Sequence, residues 1–184
     1  MEILFATSNQ NKVREAAKIG AEYGVSFKQI SLLYPEVRAE SVAEVALEGA
    51  RYVHNQINHP VLVEDSGLFI DELNGFPGPY SAYVFHKIGC QGILDLLKDC
   101  KHRKARFISA VGYASGDELK VFEGVCEGEI AFGVFGEKGF GYDPIFIPDG
   151  FEKTFAQDEK NKHLVSHRRI SVEELCRYIK GEST

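Results

Sequence analysis

Two segments far apart in the chain carry residue types suited to handling a phosphate ester. Ile3-Leu4-Phe5-Ala6 runs directly into Thr7-Ser8-Asn9-Gln10-Asn11-Lys12, and Val61-Leu62-Val63 runs directly into Glu64-Asp65-Ser66-Gly67. Short apolar runs of this kind read as buried strands, and in α/β proteins ligands bind just beyond the carboxyl ends of such strands. A helix start offers unpaired N–H groups and a partial positive charge, so the first segment can hold an anion. Thr7, Ser8 and Asn9 would add neutral hydrogen bonds and Lys12 a full charge. The spacing is not that of a P-loop. The same residues equally fit an N-cap followed by a solvated lysine.

Glu64 and Asp65 are adjacent, so in a strand their side chains point to opposite faces and only one reaches a given site. A carboxylate beside phosphates can hold Mg²⁺, a hard cation that prefers oxygen ligands, or take a proton from an attacking water. Ser66-Gly67 is expected to form a tight turn that brings backbone close to a ligand. An exposed acidic turn would have the same composition. Together the two segments point to an enzyme acting on nucleotides.

Two later segments can contribute. Gly139-Phe140-Gly141-Tyr142-Asp143-Pro144 sets two aromatics among glycines, which suits either stacking on a purine ring or inward packing. Lys162-His163-Leu164-Val165-Ser166-His167-Arg168-Arg169 gathers cationic and titratable side chains, and a solvated basic stretch is the default for such a run. His54, His59, His86 and His102 lack metal-ligand spacing and read as structural or surface residues.

The elements that must position these residues follow from periodicity. After the first strand, Val13, Ala16, Ala17 and Gly20 recur at helical spacing over about residues 11–23. Val25–Ile30 reads as a strand. Ser41 and Glu44 form a capping box ahead of a long helix reaching Ile57. Strands are expected at 61–64 and 68–73, the second ended by Asn74-Gly75. Phe76-Pro77-Gly78-Pro79-Tyr80 reads as a rigid loop, and residues 81–99 as helix in two pieces broken near Gly89. Ala105–Tyr113 and Leu119–Ile130 read as strands joined by a Ser115-Gly116-Asp117 hairpin turn. A short strand is expected at Pro144–Ile147, and a Ser171-to-Glu174 capping box is expected to open the final helix.

The order predicts an α/β fold: a mixed, twisted central sheet flanked by helices, in two lobes with a cleft between them. The expected organisation is a single domain over 1–184, with one lobe mainly 1–100 plus the C-terminal helix and a β-rich lobe at roughly 105–147. A chain of 184 residues, 44% hydrophobic and 26% charged, is ordinary for such a domain. No apolar run approaches the roughly 18 residues of a membrane span, and residues 1–30 do not read as a signal peptide. The net charge of −6 argues against duplex nucleic acid as a partner but not against a small anion. Cys90, Cys100, Cys126 and Cys176 are widely spaced with no Cys-x-x-Cys pair, which reads as reduced thiols in the cytoplasm.

These four segments, in this order, resemble the inosine triphosphate pyrophosphatases, also called dITP/XTP pyrophosphatases. The family's Thr/Ser-x-Asn-x-x-Lys is matched by Thr7, Asn9 and Lys12, and its (Glu/Asp)-Asp-Ser-Gly by Glu64-Asp65-Ser66-Gly67. Its Pro-Gly-x-Tyr-Ser loop is matched at Pro77–Ser81, its Phe-Gly-(Trp/Tyr)-Asp-Pro at Phe140–Pro144, and its Ser-His-Arg at Ser166-His167-Arg168. The resemblance implies Mg²⁺-dependent hydrolysis of ITP, dITP and XTP to the monophosphate and pyrophosphate. It implies Asp65 as the catalytic carboxylate, Glu36 and Asp65 as metal ligands, and Thr7, Ser8, Asn9, Lys12, Ser66 and Lys162 around the triphosphate. Phe140 would stack on the base, Tyr142 and Asp143 would shape its pocket, and His167 and Arg168 would recognise its keto oxygen. Arginine carries donors only, so it would pair with that oxygen and oppose the amino group of adenine. A homodimer, built around the segment after Asn74, is implied as well.

Two departures from the family pattern stand out. Lys162-His163 replaces the usual Lys-Asn, while Lys160-Asn161 stands two residues earlier, so either lysine could be the phosphate ligand. Glu48-Gly49-Ala50 stands where many members carry a lysine. A nucleotide pyrophosphatase of different base preference and a non-catalytic nucleotide sensor are the alternatives.

Overall fold

The computed structural model describes residues 2–32 and 39–182. Within them, strands β1 (Glu2–Ala6), β2 (Ser26–Ile30), β3 (Val61–Ile70), β4 (Pro77–Gly78), β5 (Lys104–Ser115), β6 (Glu118–Ile130) and β7 (Phe146–Pro148) form one mixed sheet. Its order is β2-β1-β3-β5-β6-β7, with β4 paired to β3. The β1–β2 and β1–β3 pairs are parallel, whereas β3–β4 and β6–β7 are antiparallel. Five helices accompany them: α1 (Gln10–Glu22), α2 (Val42–Ile57), α3 (Ser81–Leu96), α4 (Glu159–Val165) and α5 (His167–Lys180). Among the described residues no helix is long and apolar enough to cross a membrane.

By internal contacts the chain divides into two compact units. The first comprises residues 1–65, 109–124 and 167–184, and the second residues 66–108 and 125–166. In the first unit, Ile3, Phe5 and Leu62 pack with Ala16 and Ile19 of α1 and with Val172 and Leu175 of α5. In β1, Ile3, Phe5 and Ala6 are buried and Leu4 half-buried, as suits a parallel strand between neighbours. Helix α1 starts where Asn9, in extended conformation, accepts N–H bonds from Asn11 and Lys12 on its side chain. Ser41 caps α2 in the same way through the N–H of Glu44. Close helix–strand approach depends on glycine here. A side chain at Gly112 of β5 would run into the Ala46 backbone of α2, and one at Gly124 of β6 would run into the His167 carbonyl.

In the second unit, Leu68, Ile70, Ile93, Leu97, Phe107, Phe146 and Phe155 form the core. Phe107 meets Phe146 edge-on at 4.7 Å. Helix α3 breaks at Gly89, which adopts φ 61° and ψ −165°. Buried Arg103 donates to the carbonyls of Leu97, Ile130 and Ala131, fastening the end of α3 to the end of β6.

Several sequence expectations change. The strands expected at 61–64 and 68–73 are one strand, followed by a 3-10 turn at Asp71–Leu73. Ser66-Gly67 is therefore no turn. Gly67 is required because the Gly78 backbone of the paired strand β4 lies directly against it. The strand expected at 144–147 is a 3-10 turn at Asp143–Ile145 leading into β7. Ser171 does not cap the last helix, which begins four residues earlier at His167.

Candidate active site

In the first unit the polar residues after β1 are laid out by the helix start. The Asn9 N–H donates to Thr7 Oγ1 at 3.1 Å, and Asn9 Oδ1 accepts from the N–H of Asn11 at 2.9 Å. Thr7 and Asn9 are half-buried and Ser8 is exposed. Lys12, one turn into α1, reaches across to β3: its ammonium lies 2.9 Å from Glu64 Oε2 and donates to the Glu64 backbone carbonyl at 3.0 Å. Thr7, Ser8, Asn9 and Lys12 are thus gathered at the β1–α1 junction, and Lys12 ties that junction to the acidic end of β3.

Strand alternation separates the two acids. Glu64 is buried and Asp65 half-buried. Glu64 Oε1 accepts from Ser109 Oγ at 2.7 Å and from Arg168 Nη2 at 3.0 Å. Burial by itself would push the Glu64 carboxyl up. The charges of Arg168 and Lys12, with the Ser109 hydrogen bond, outweigh it and hold the group well below the usual carboxylate range. Arg168 is nearly sealed, its side chain 1% exposed, with Nη1 on Glu15 Oε2 at 2.6 Å. Burial would lower its basicity, but the facing Glu64 and Glu15 carboxylates raise it. His167, which precedes it, is buried too.

The second unit assembles the aromatic segment. Asp143 Oδ2 accepts the Phe140 N–H at 2.8 Å and sits 2.7 Å from the Lys162 ammonium. That ammonium lies over the Phe140 ring, 4.6 Å from its centroid. Lys162 is buried in this arrangement whereas Lys160 is exposed. Tyr142 packs inward, edge-on to Phe85 at 5.2 Å. Its buried hydroxyl finds no hydrogen-bond partner among the described residues, and burial pushes the phenol up. Ser66 is half-buried in β3. Glu36 lies outside the described residues.

The basic run before the last helix is not a solvated stretch: Lys162, His167 and Arg168 are all buried. Acids distant in sequence accept the charges of Lys162 and Arg168, which is why the run itself gave no sign of its burial. Sequence reasoning also missed Ser109, Ser171 and Glu15 around Glu64 and Arg168. Ser109 was legible in part, since Ala105, Phe107, Ser109, Val111 and Tyr113 fall on one face of β5 and all five are buried.

Among the described residues no three His, Cys, Asp or Glu side chains are grouped to hold a metal ion. That does not conflict with Mg²⁺, which usually takes one or two protein carboxylates and completes its shell with water and substrate phosphates. Glu64 is committed to Lys12 and Arg168.

The model of the Ham1 family matches residues 3–178. A dITP/XTP pyrophosphatase of Methanopyrus kandleri is 50% identical over 185 residues, covering 98% of this chain and 97% of the relative. Another from Thermococcus kodakarensis is 46% identical over 183 residues, with 98% of each chain covered. Among solved structures, the Ham1 protein of Staphylococcus aureus superposes with a TM-score of 0.85 at 33% identity over the whole of both chains. A HAM1 protein from Coxiella burnetii does so with a TM-score of 0.87 at 30% identity, covering 98% of this chain and 99% of that one.

Proposed function

The chain belongs to the Ham1 family, and on that premise we infer that it is a nucleoside-triphosphate pyrophosphatase hydrolysing dITP, ITP and XTP. The full-length likeness to dITP/XTP pyrophosphatases carries this reading.

In the proposed reaction a water oxygen bonds to the α-phosphorus as the bond from that phosphorus to the α–β bridging oxygen breaks. Pyrophosphate leaves with the bridging oxygen, and the nucleoside monophosphate remains. Asp65 takes the proton of the attacking water. Positioning and charge neutralisation carry most of the catalysis at phosphorus. Lys12 contributes its ammonium, and Thr7, Ser8, Asn9, Ser66 and Lys162 contribute hydrogen bonds or charge. Asp65 and Glu36 would hold Mg²⁺, which would add to the neutralisation of the triphosphate.

Phe140 stacks on the purine, Tyr142 and Asp143 shape its surroundings, and His167 and Arg168 donate to the keto oxygen. An adenine amino group would oppose those donors, which disfavours ATP. Arg168 is already bonded at both terminal nitrogens. Glu15 is its more open partner, 25% exposed against 0% for Glu64, and so it is the one that yields Nη1 to the base. Four free thiols suit the reducing cytoplasm. Exposed Phe76, Tyr80 and Tyr83, just after Asn74, supply an apolar face for the proposed homodimer.

The deciding experiment is pyrophosphate release on adding ITP, XTP or ATP with Mg²⁺. Rapid release from ITP and XTP, little from ATP, and loss of activity on chelation are expected. Absence of release from every purine triphosphate refutes the assignment.

A further inference from the structure

We propose that Glu64 is a positioning residue that couples the phosphate-binding lysine to the base-reading arginine, and that Ser109 and Ser171 fix it in place. This rests on the functional reading above for the roles of Lys12 and Arg168.

Four elements of the first unit meet at this one carboxylate. Lys12 comes from α1, Glu64 from β3, Ser109 from β5, and Arg168 and Ser171 from α5. Each oxygen has its own cation: Oε2 holds Lys12 Nζ at 2.9 Å and Oε1 holds Arg168 Nη2 at 3.0 Å. Oε1 also accepts the Ser109 hydroxyl, which lies 2.9 Å from Ser171 Oγ. Ser171 Oγ in turn lies 3.3 Å from the Arg168 carbonyl. Ser109 and Ser171 are wholly buried, so no solvent can stand in for either.

The consequence for Lys12 is directional. An ammonium has three N–H donors; one goes to the Glu64 carbonyl, and the Glu64 carboxylate lies against the same ammonium as its counter-charge. These two contacts fix where the ammonium sits and so where its remaining donors meet a ligand. Arg168 is fixed in the same way through Nη2. Neutralising Glu64 would leave Lys12 without its carboxylate and Arg168 with Glu15 alone, so neither cation would be held from this side. Both would move, so the two ends of the bound nucleotide answer to one carboxylate.

The test uses Glu64→Gln and the milder Ser109→Ala, each compared with wild type. Two readouts are independent of the fraction of enzyme folded: the inhibition constant of inorganic pyrophosphate, and the ITP/ATP ratio of kcat/KM. In Glu64→Gln, pyrophosphate inhibition should weaken about tenfold and the ratio should fall about tenfold. Ser109→Ala should move both in the same direction by about threefold. A merely structural role would lower kcat and the melting temperature yet leave both readouts where they were. That result overturns the proposal, as does movement of one readout alone. Should Glu64→Gln fail to fold by circular dichroism, Ser109→Ala decides on the same criteria. If wild type releases no pyrophosphate from ITP, the functional reading has failed. The coupling is then judged by calorimetric binding of pyrophosphate and ITP to wild type and Ser109→Ala, where unchanged affinities overturn it.

Discussion

Asp143 and Lys162 form a buried ion pair, Oδ2 to Nζ at 2.7 Å, with side chains 3% and 6% exposed. The same carboxylate oxygen holds the Phe140 backbone N–H, so charge and loop geometry are secured together. Removing one partner strands the other in a place without water. Lys162→Met should destabilise the protein by about 3–5 kcal/mol, read as a lower urea midpoint. Lys160→Met, which removes an exposed charge, should change stability by no more than about 0.5 kcal/mol.

Asp65 is half-buried in β3, and asparagine matches aspartate in size and shape, so its charge can be removed without changing the volume at that position. Asp65→Asn should melt within a few degrees of wild type, yet turn over ITP at least about 100-fold more slowly, the usual worth of a general base. Near-normal turnover in a folded variant would remove the proton-accepting role.

Glu15 competes with the purine for Arg168. Truncating it should pull stability and affinity in opposite directions. Glu15→Ala is expected to lower the melting temperature, because Arg168 loses a partner at 2.6 Å. It is expected to lower KM for ITP about threefold, since Nη1 no longer has to be released. A raised KM would mean that Glu15 assists binding.

The thiols give a pH test. Burial, reinforced by Asp149 and Glu127, pushes Cys126 up to about 12, and burial with Glu173 nearby pushes Cys176 up to about 11. Neither should react with iodoacetamide at pH 8.5 in the native protein, and both should react once it is denatured. An acid whose folded pKa is raised favours the fold while it stays protonated. Above about pH 8.5 the unfolded chain loses these protons first, so stability should fall as pH climbs toward 11. A melting temperature flat across that range would contradict the burial of both groups.

Gly67→Ala tests why β3 runs unbroken. An added methyl would strike the Gly78 backbone, so a loss of about 1–3 kcal/mol is expected in chemical unfolding.

That glycine also illustrates what the sequence could and could not say. Local signals held: Ser41 caps the helix expected of it, and Gly89 breaks α3 where a break was expected. Capping and left-handed backbone are decided within a few residues. Ser66-Gly67 has the composition of a turn, but its glycine answers the Gly78 backbone of β4, which composition does not encode. Ser171 likewise has the form of a cap, yet its hydroxyl lies beside Ser109 on a strand 62 residues earlier. The Lys162–Arg169 run gave its charge but not its burial, because the acids that permit burial, Asp143, Glu64 and Glu15, lie elsewhere in the chain.

The internal cancellation at Glu64 bears on how a nucleotide is drawn in from a distance. Glu64 and Glu15 together balance Lys12 and Arg168, so the four charges contribute almost no far field beyond a Debye length. Attraction of a polyanion toward this face therefore has to come from peripheral cations and any bound divalent ion. Raising the salt concentration should slow encounter while leaving the inner lattice of charge undisturbed.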